Sequence, residues 1–233
     1  MKTLAQMEPR TSIASAPFTI SVPGSYYLTT NLNVTGGNAI SVQANGVTLD
    51  LSGFTISSSA AVASGTAILL TNTAPIDITI LNGHITGGVT NNGGVFNGPG
   101  FQYGIFYSGG DYPANTRVSG VSVSGCLVDG INLSKVNTSI LESCTARTIG
   151  GYGLVASIVT RSTADNCGGT AISGGQVSDS HGEMRGNGAG TGIDATTAIN
   201  CYGFSLNGNG IVTGSAQHCY GYSNGAGYGI NAN

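Results

Sequence analysis

Ser143-Cys144-Thr145-Ala146-Arg147 stands over Arg161-Ser162-Thr163-Ala164-Asp165 when the second half of the chain is written in rows. Asp179-Ser180-His181-Gly182-Glu183, Asn200-Cys201-Tyr202-Gly203-Phe204 and His218-Cys219-Tyr220-Gly221-Tyr222 continue the ladder. One column holds Cys144, Ser162, Ser180, Cys201 and Cys219, and another holds Ala146, Ala164, Gly182, Gly203 and Gly221. Small residues alternate with large polar or aromatic ones, the period of two that marks a strand with one buried face. The small columns are expected to point inward and the others outward.

Working outward, an apolar anchor precedes each row at Ile131, Leu154, Ile172, Ile193, Ile211 and Ile230, with Ile40, Ile68 and Ile105 as earlier members. Spacings of roughly 18 to 23 residues suit a solenoid. In the first half, Val47-Thr48-Leu49-Asp50-Leu51 and Ile76 to Ile80 read as strands, punctuated by Ser52-Gly53 and Asn82-Gly83 turns. Leu4 and Met7 suggest one helical turn that Pro9 ends. Short strands and a coil of about 20 residues imply parallel stacking at about 4.8 Å per coil, since no coil buries its apolar face alone.

Composition agrees. Of 233 residues 39 are glycine, and charged residues make up 7% against a usual ~25%. That much glycine weakens every helix, which excludes a helical bundle. Glycine does not recur every third residue, which excludes collagen. An apolar fraction of 40% with a net charge of −3 argues against disorder. Seven basic residues make no polyphosphate-binding surface, so nucleic acid is not an expected partner. No apolar run is long enough for a membrane helix. Met1 to Arg10 lacks an apolar stretch of signal-peptide length.

Asn45-Gly46-Val47-Thr48-Leu49-Asp50-Leu51-Ser52-Gly53-Phe54-Thr55-Ile56 and Ile78-Thr79-Ile80-Leu81-Asn82-Gly83-His84-Ile85 resemble the right-handed parallel β-helix, or pectate-lyase-like, superfamily. The resemblance covers residues 18–233. It implies an all-β, single-stranded right-handed parallel β-helix of about nine coils, with residues 1–17 as an N-terminal extension or short cap. It also implies a secreted or surface-borne protein that handles polysaccharide. The polygalacturonases' Asn-Thr-Asp, Asp-Asp, Gly-His-Gly and Arg-Ile-Lys segments do not occur, and the pectate lyases' tryptophan signature is missing from a chain without tryptophan. No catalytic residue is therefore carried over by match.

Insertions at residues 57–65, Val89 to Gln102 and Gly109 to Thr116 break the rhythm and are expected to collect into a wall. The last coil, Tyr228 to Asn233, carries no polar capping segment. Repeat arrays need capped ends, so either this coil packs against another chain, as a homo-oligomer, or the natural chain runs on past it; an open sheet end invites pairing and favours the oligomer. Cys201 and Cys219 fall in one inward column, close enough for a disulfide, but parallel side-chain vectors favour plain stacking. No Cys-x-x-Cys pair points to zinc.

Rare charges cluster. Asp179, His181, Glu183 and Arg185 alternate on one expected outward face, with Arg147, Arg161 and Asp165 on adjacent coils. Further along, Tyr202, Phe204, Tyr220 and Tyr222 turn the face aromatic, edged by Asn200 and His218. Rings offer area for sugars, and carboxylates and guanidinium groups hold hydroxyls or uronates. For catalysis, Asp165 beside Glu183 is the expected pair, because carboxylates about 5 Å apart raise one another's proton affinity and match a retaining glycosidase. In a lyase, His181 or Arg161 would take the proton next to the uronate carboxylate, and Tyr202 would donate its own proton to the leaving oxygen. Two acidic residues plus Asn200 offer oxygens that suit calcium. His84 and Asp111 read as turn residues. The alternative is a non-catalytic structural or adhesive solenoid, oligomeric like phage fibre domains, in which charges and rings form solvated ladders.

Overall fold

The computed structural model describes residues 9–71, 75–109, 113–136 and 138–232. The expected helical turn at Leu4 and Met7, and Asp111 with its loop, lie outside these residues. Among those described there is no helix, and the chain forms 25 strands. All but one pair of them belong to a single 23-stranded system whose neighbours are parallel. This is a parallel β-helix.

Its first ladder is the anchor file. Phe18 pairs with Ile40 and Ile40 with Ile68; the file then runs through Ile105, Ile131, Leu154, Ile172, Ile193 and Ile211 to Ile230. From Ile40 to Ile211 every member is fully buried. Each isoleucine removed from water contributes about 1.5–3 kcal/mol, which makes this file the apolar spine of the molecule. A second ladder carries Leu49, Ile80, Val118, Leu141, Val159, Val177 and Ala198 in register. It starts at Thr11–Ile13, which pairs with Tyr26–Leu28. The solenoid thus begins inside the stretch read as an extension or cap.

The third ladder brings together the rows quoted at the outset. Thr145 pairs with Thr163, Thr163 with His181, His181 with Tyr202 and Tyr202 with Tyr220. Its inward file shrinks along the axis from Leu32, Ile56, Ile85 and Val123 through Ala146 and Ala164 to Gly182, Gly203 and Gly221. The reason is contact with the start of the first ladder on the far side of the coil. A Cβ at Gly203 would lie 2.3 Å from the Gly210 carbonyl oxygen, and one at Gly182 would lie 2.3 Å from that of Gly192. The coil is too narrow there for any side chain between the two backbones.

The file of Cys144, Ser162, Ser180 and Cys201 is buried as the alternation predicts, and its members are joined coil to coil. The Cys144 amide donates to Ser162 Oγ at 3.1 Å, and the Ser162 amide to Ser180 Oγ at 3.2 Å. Cys219 is half-buried, and all five cysteines are free thiols, so Cys201 and Cys219 stack without bonding. Of the insertions, residues 90–97 form an antiparallel hairpin, Thr90–Asn92 with Val95–Asn97. It lies along the stack. Asn91 donates to Asn166 at 2.6 Å, Phe96 sits against Gly150 and Gly168, and the Gly94 carbonyl accepts from the Asn187 amide.

Candidate functional site

Between the second and third ladders the chain turns through one residue in the left-handed region. Ser143, Arg161, Asp179, Asn200 and His218 occupy this corner on five successive coils, with φ between 48° and 54°. Such φ values favour short polar residues, and Arg161 is the exception in the file. The alternation in the sequence puts Asp179 on the outward face of a strand, with Arg161 beside it on the adjacent coil and Asn200 and His218 at the edge of that face. The correction is that they form the corner that precedes it, because the strand itself begins two residues later, at His181. The signal was present: one column, directly before the small file, holds Ser, Asp, Asn and His.

Corner and strand enclose an open groove of about 670 Å³ that runs along the axis. One wall is the corner file of Arg161, Asp179, Asn200 and His218, and the other is Thr163, His181, Tyr202 and Tyr220. Ser180 and Cys201 form the floor. It exists because the residue between the two walls on each coil is small and faces inward. Four successive coils therefore each contribute one corner side chain and one strand side chain.

The rings stack on each other. His181 and Tyr202 lie 4.5 Å apart between centroids at 19°, and Tyr202 and Tyr220 lie 5.7 Å apart at 15°. On the neighbouring outward column Phe204 and Tyr222 repeat this at 5.7 Å, and the Arg185 guanidinium caps Phe204 at 5.1 Å. Ring faces are thus turned toward one another along the axis. The apolar ring area expected to serve sugar faces is largely taken up by this ring-on-ring stacking, which leaves ring edges and hydroxyls along the groove. Burial pushes the Tyr202 hydroxyl above its ordinary pKa, and the Glu183 charge adds to this.

Asp165 and Glu183 lie outside the groove lining, on the second outward column. Their expected pairing is also displaced. Register holds at Ala164–Gly182 but Cys167 pairs with Met184, so one extra residue bulges out between them, with Asn166 at φ 57°. Arg185 stands between the carboxylates, bonded to Glu183 and 3.9 Å from Asp165. Glu183 Oε1 is 2.8 Å from His181 Nε2, while Oε2 accepts from Arg185 Nε at 3.0 Å. Burial alone raises the Glu183 carboxyl, but these hydrogen bonds from His181 and Arg185 outweigh it and hold the group below its usual range. The expected mutual raising of the two carboxylates is therefore overturned at Glu183. Arginine takes the place that a shared proton or a sugar oxygen would need.

Other charges are paired as well. Arg117 and Arg161 share Glu142, and Arg147 Nε is 3.5 Å from Asp165. Arg161 reaches back one coil for its carboxylate, away from Asp179, the neighbour expected from stacking. Asp179 accepts from the Asn200 amide at 3.0 Å. Among the described residues no three His, Cys, Asp or Glu side chains gather as a metal site. His84, read as a turn residue, lies within a strand, in register with Thr55 and Ser122. No family model, curated protein or solved structure matches the chain.

Proposed function

We propose that this is an extracellular polysaccharide-binding β-helix, related to the pectate-lyase-like superfamily, whose groove takes a sugar chain along the solenoid axis. The observation that carries the reading is the groove itself, which sets a polar corner residue opposite a ring or hydroxyl on each successive coil. Its volume of about 670 Å³ falls within the usual ~300–1,000 Å³ of ligand clefts. Coils repeat at about 4.8 Å, close to the length of one hexose in an extended chain, so each coil meets one sugar. Tyrosine hydroxyls, Asn200, Asp179 and His218 supply hydrogen bonds to hydroxyls, and aromatic edges carry the positive side of the ring quadrupole toward sugar oxygens.

Binding is better supported than cleavage. Glu183 is held ionised with both oxygens occupied, so it offers no proton to a leaving group. Of the groups in the groove that could act as a base, His181 is the one oriented by Glu183. The test is isothermal titration with soluble glycans, comparing the wild type with Tyr202→Ala/Tyr220→Ala. Binding lost in the double variant supports the reading, and no binding across neutral and acidic glycans overturns it. A second reading, a structural or adhesive module, is favoured by the ion pairs that link one coil to the next. That reading stands if glycans fail to bind while the molecule self-associates.

A further inference from the structure

Resting on the sugar-binding reading of the groove, the charge arrangement names the kind of sugar. On the outer face around the groove stand four guanidinium groups and four carboxylates, and three of the carboxylates are in ion pairs. Arg117 and Arg161 close on Glu142; Arg147 and Arg185 flank Asp165, and Arg185 also holds Glu183. The fourth carboxylate, Asp179, has no ion pair among the described residues and takes only the neutral amide of Asn200. Charges therefore cancel across the face, and the cation that lines the groove, Arg161, is already committed to Glu142. The carboxylate that lines it, Asp179, is free of any cation. Toward a polyanion this site offers no net attraction and one fixed negative charge in the wall.

We infer that the groove selects neutral, hydroxyl-bearing glycans and discriminates against uronate chains. A carboxylate accepts strong charge-assisted hydrogen bonds from sugar hydroxyls, which a neutral hexose supplies on every residue. A uronate brings its own negative charge beside Asp179 and finds no unpaired guanidinium to offset it. Like-charge juxtaposition of this sort is a device for rejecting the wrong ligand. The remaining polar side chains along the walls, Thr163, His181, Asn200, Tyr202, His218 and Tyr220, donate and accept hydrogen bonds suited to the same partner.

The experiment is isothermal titration of the full chain at pH 7.5 with linear neutral tetrasaccharides of glucose and of mannose, and with tetragalacturonate, each at low and high salt. The expected result is binding of a neutral tetrasaccharide with an affinity that salt leaves unchanged, and tetragalacturonate at least ~10-fold weaker, a difference of about 1.4 kcal/mol. Asp179→Asn, which keeps size and one acceptor, is expected to narrow that gap at least threefold by admitting the uronate. Tetragalacturonate binding as tightly as the neutral sugars or tighter, with an affinity that falls as salt rises, overturns the inference and leaves the sugar-binding reading in place. Failure of all three ligands to bind overturns both.

Discussion

Gly203 and Glu183 show how single residues are fixed by this fold. A methyl group at Gly203 would meet the Gly210 carbonyl oxygen at 2.3 Å, whereas one at Gly188 meets nothing within 4 Å. Gly203→Ala is therefore expected to destabilise by about 1–3 kcal/mol as an overpacked core site does, and Gly188→Ala to leave the melting temperature nearly unchanged. Equal effects from the two would contradict the narrowing of the coil. Glu183 is a matter of sign. Its folded pKa lies below the ordinary value, so the unfolded chain binds that proton more tightly. Its stabilising contribution is complete above the ordinary carboxyl range and is lost as pH falls through the folded value. Buried Asp129, pushed upward by desolvation, contributes in the opposite sense. Thermal melts of wild type and Glu183→Gln between pH 7 and 3 separate the two: the variant's stability should fall less on acidification, and parallel curves would count against the His181–Glu183–Arg185 network.

At the scale of elements, the corner and the hairpin matter most. The period of two in the quoted rows was enough to assign Cys144, Ser162, Ser180 and Cys201 to the interior. It could not separate a strand residue from the corner residue before it, because both alternate outward in a linear reading. Left-handed φ is a property of the backbone that Ser, Asp, Asn and His merely tolerate, and Arg161 hid the pattern. The bulge at Asn166, which moved Asp165 out of line with Glu183, leaves no mark in a sequence of equal-looking rows. The hairpin of residues 90–97 falls within an expected wall, but its contacts with coils 54 to 93 residues away are not legible, since its glycine and asparagine content carries no long-range address. Phe96 is the residue that clasps it to Gly150 and Gly168. Phe96→Ala is expected to speed proteolytic cleavage within residues 89–102 several-fold while the global melting temperature drops by only a few degrees. An unchanged digestion pattern would show that the hairpin is held by its hydrogen bonds, Asn91 to Asn166 and Asn187 to Gly94, without Phe96.

For the molecule as a whole, repeated coils turn a local pattern into a long surface. Each coil contributes the same two outward positions and one small inward residue, and stacking multiplies that unit into a groove without any loop to shape it. The anchor file from Ile40 to Ile211 is legible because burial in a stack imposes a branched apolar residue at each return of the chain. The chemistry of the outer face was less so: which charge pairs with which depends on side chains reaching across coils, as Arg161 does toward Glu142, and sequence spacing cannot fix that reach. The most direct check is site-resolved chemical-shift mapping of the labelled protein during titration with a linear neutral tetrasaccharide. Saturable shifts confined to Asp179, His181, Asn200, Tyr202, His218, Tyr220 and their groove neighbours are predicted, and shifts that fall on another face, or none at all at saturating sugar, would contradict the account.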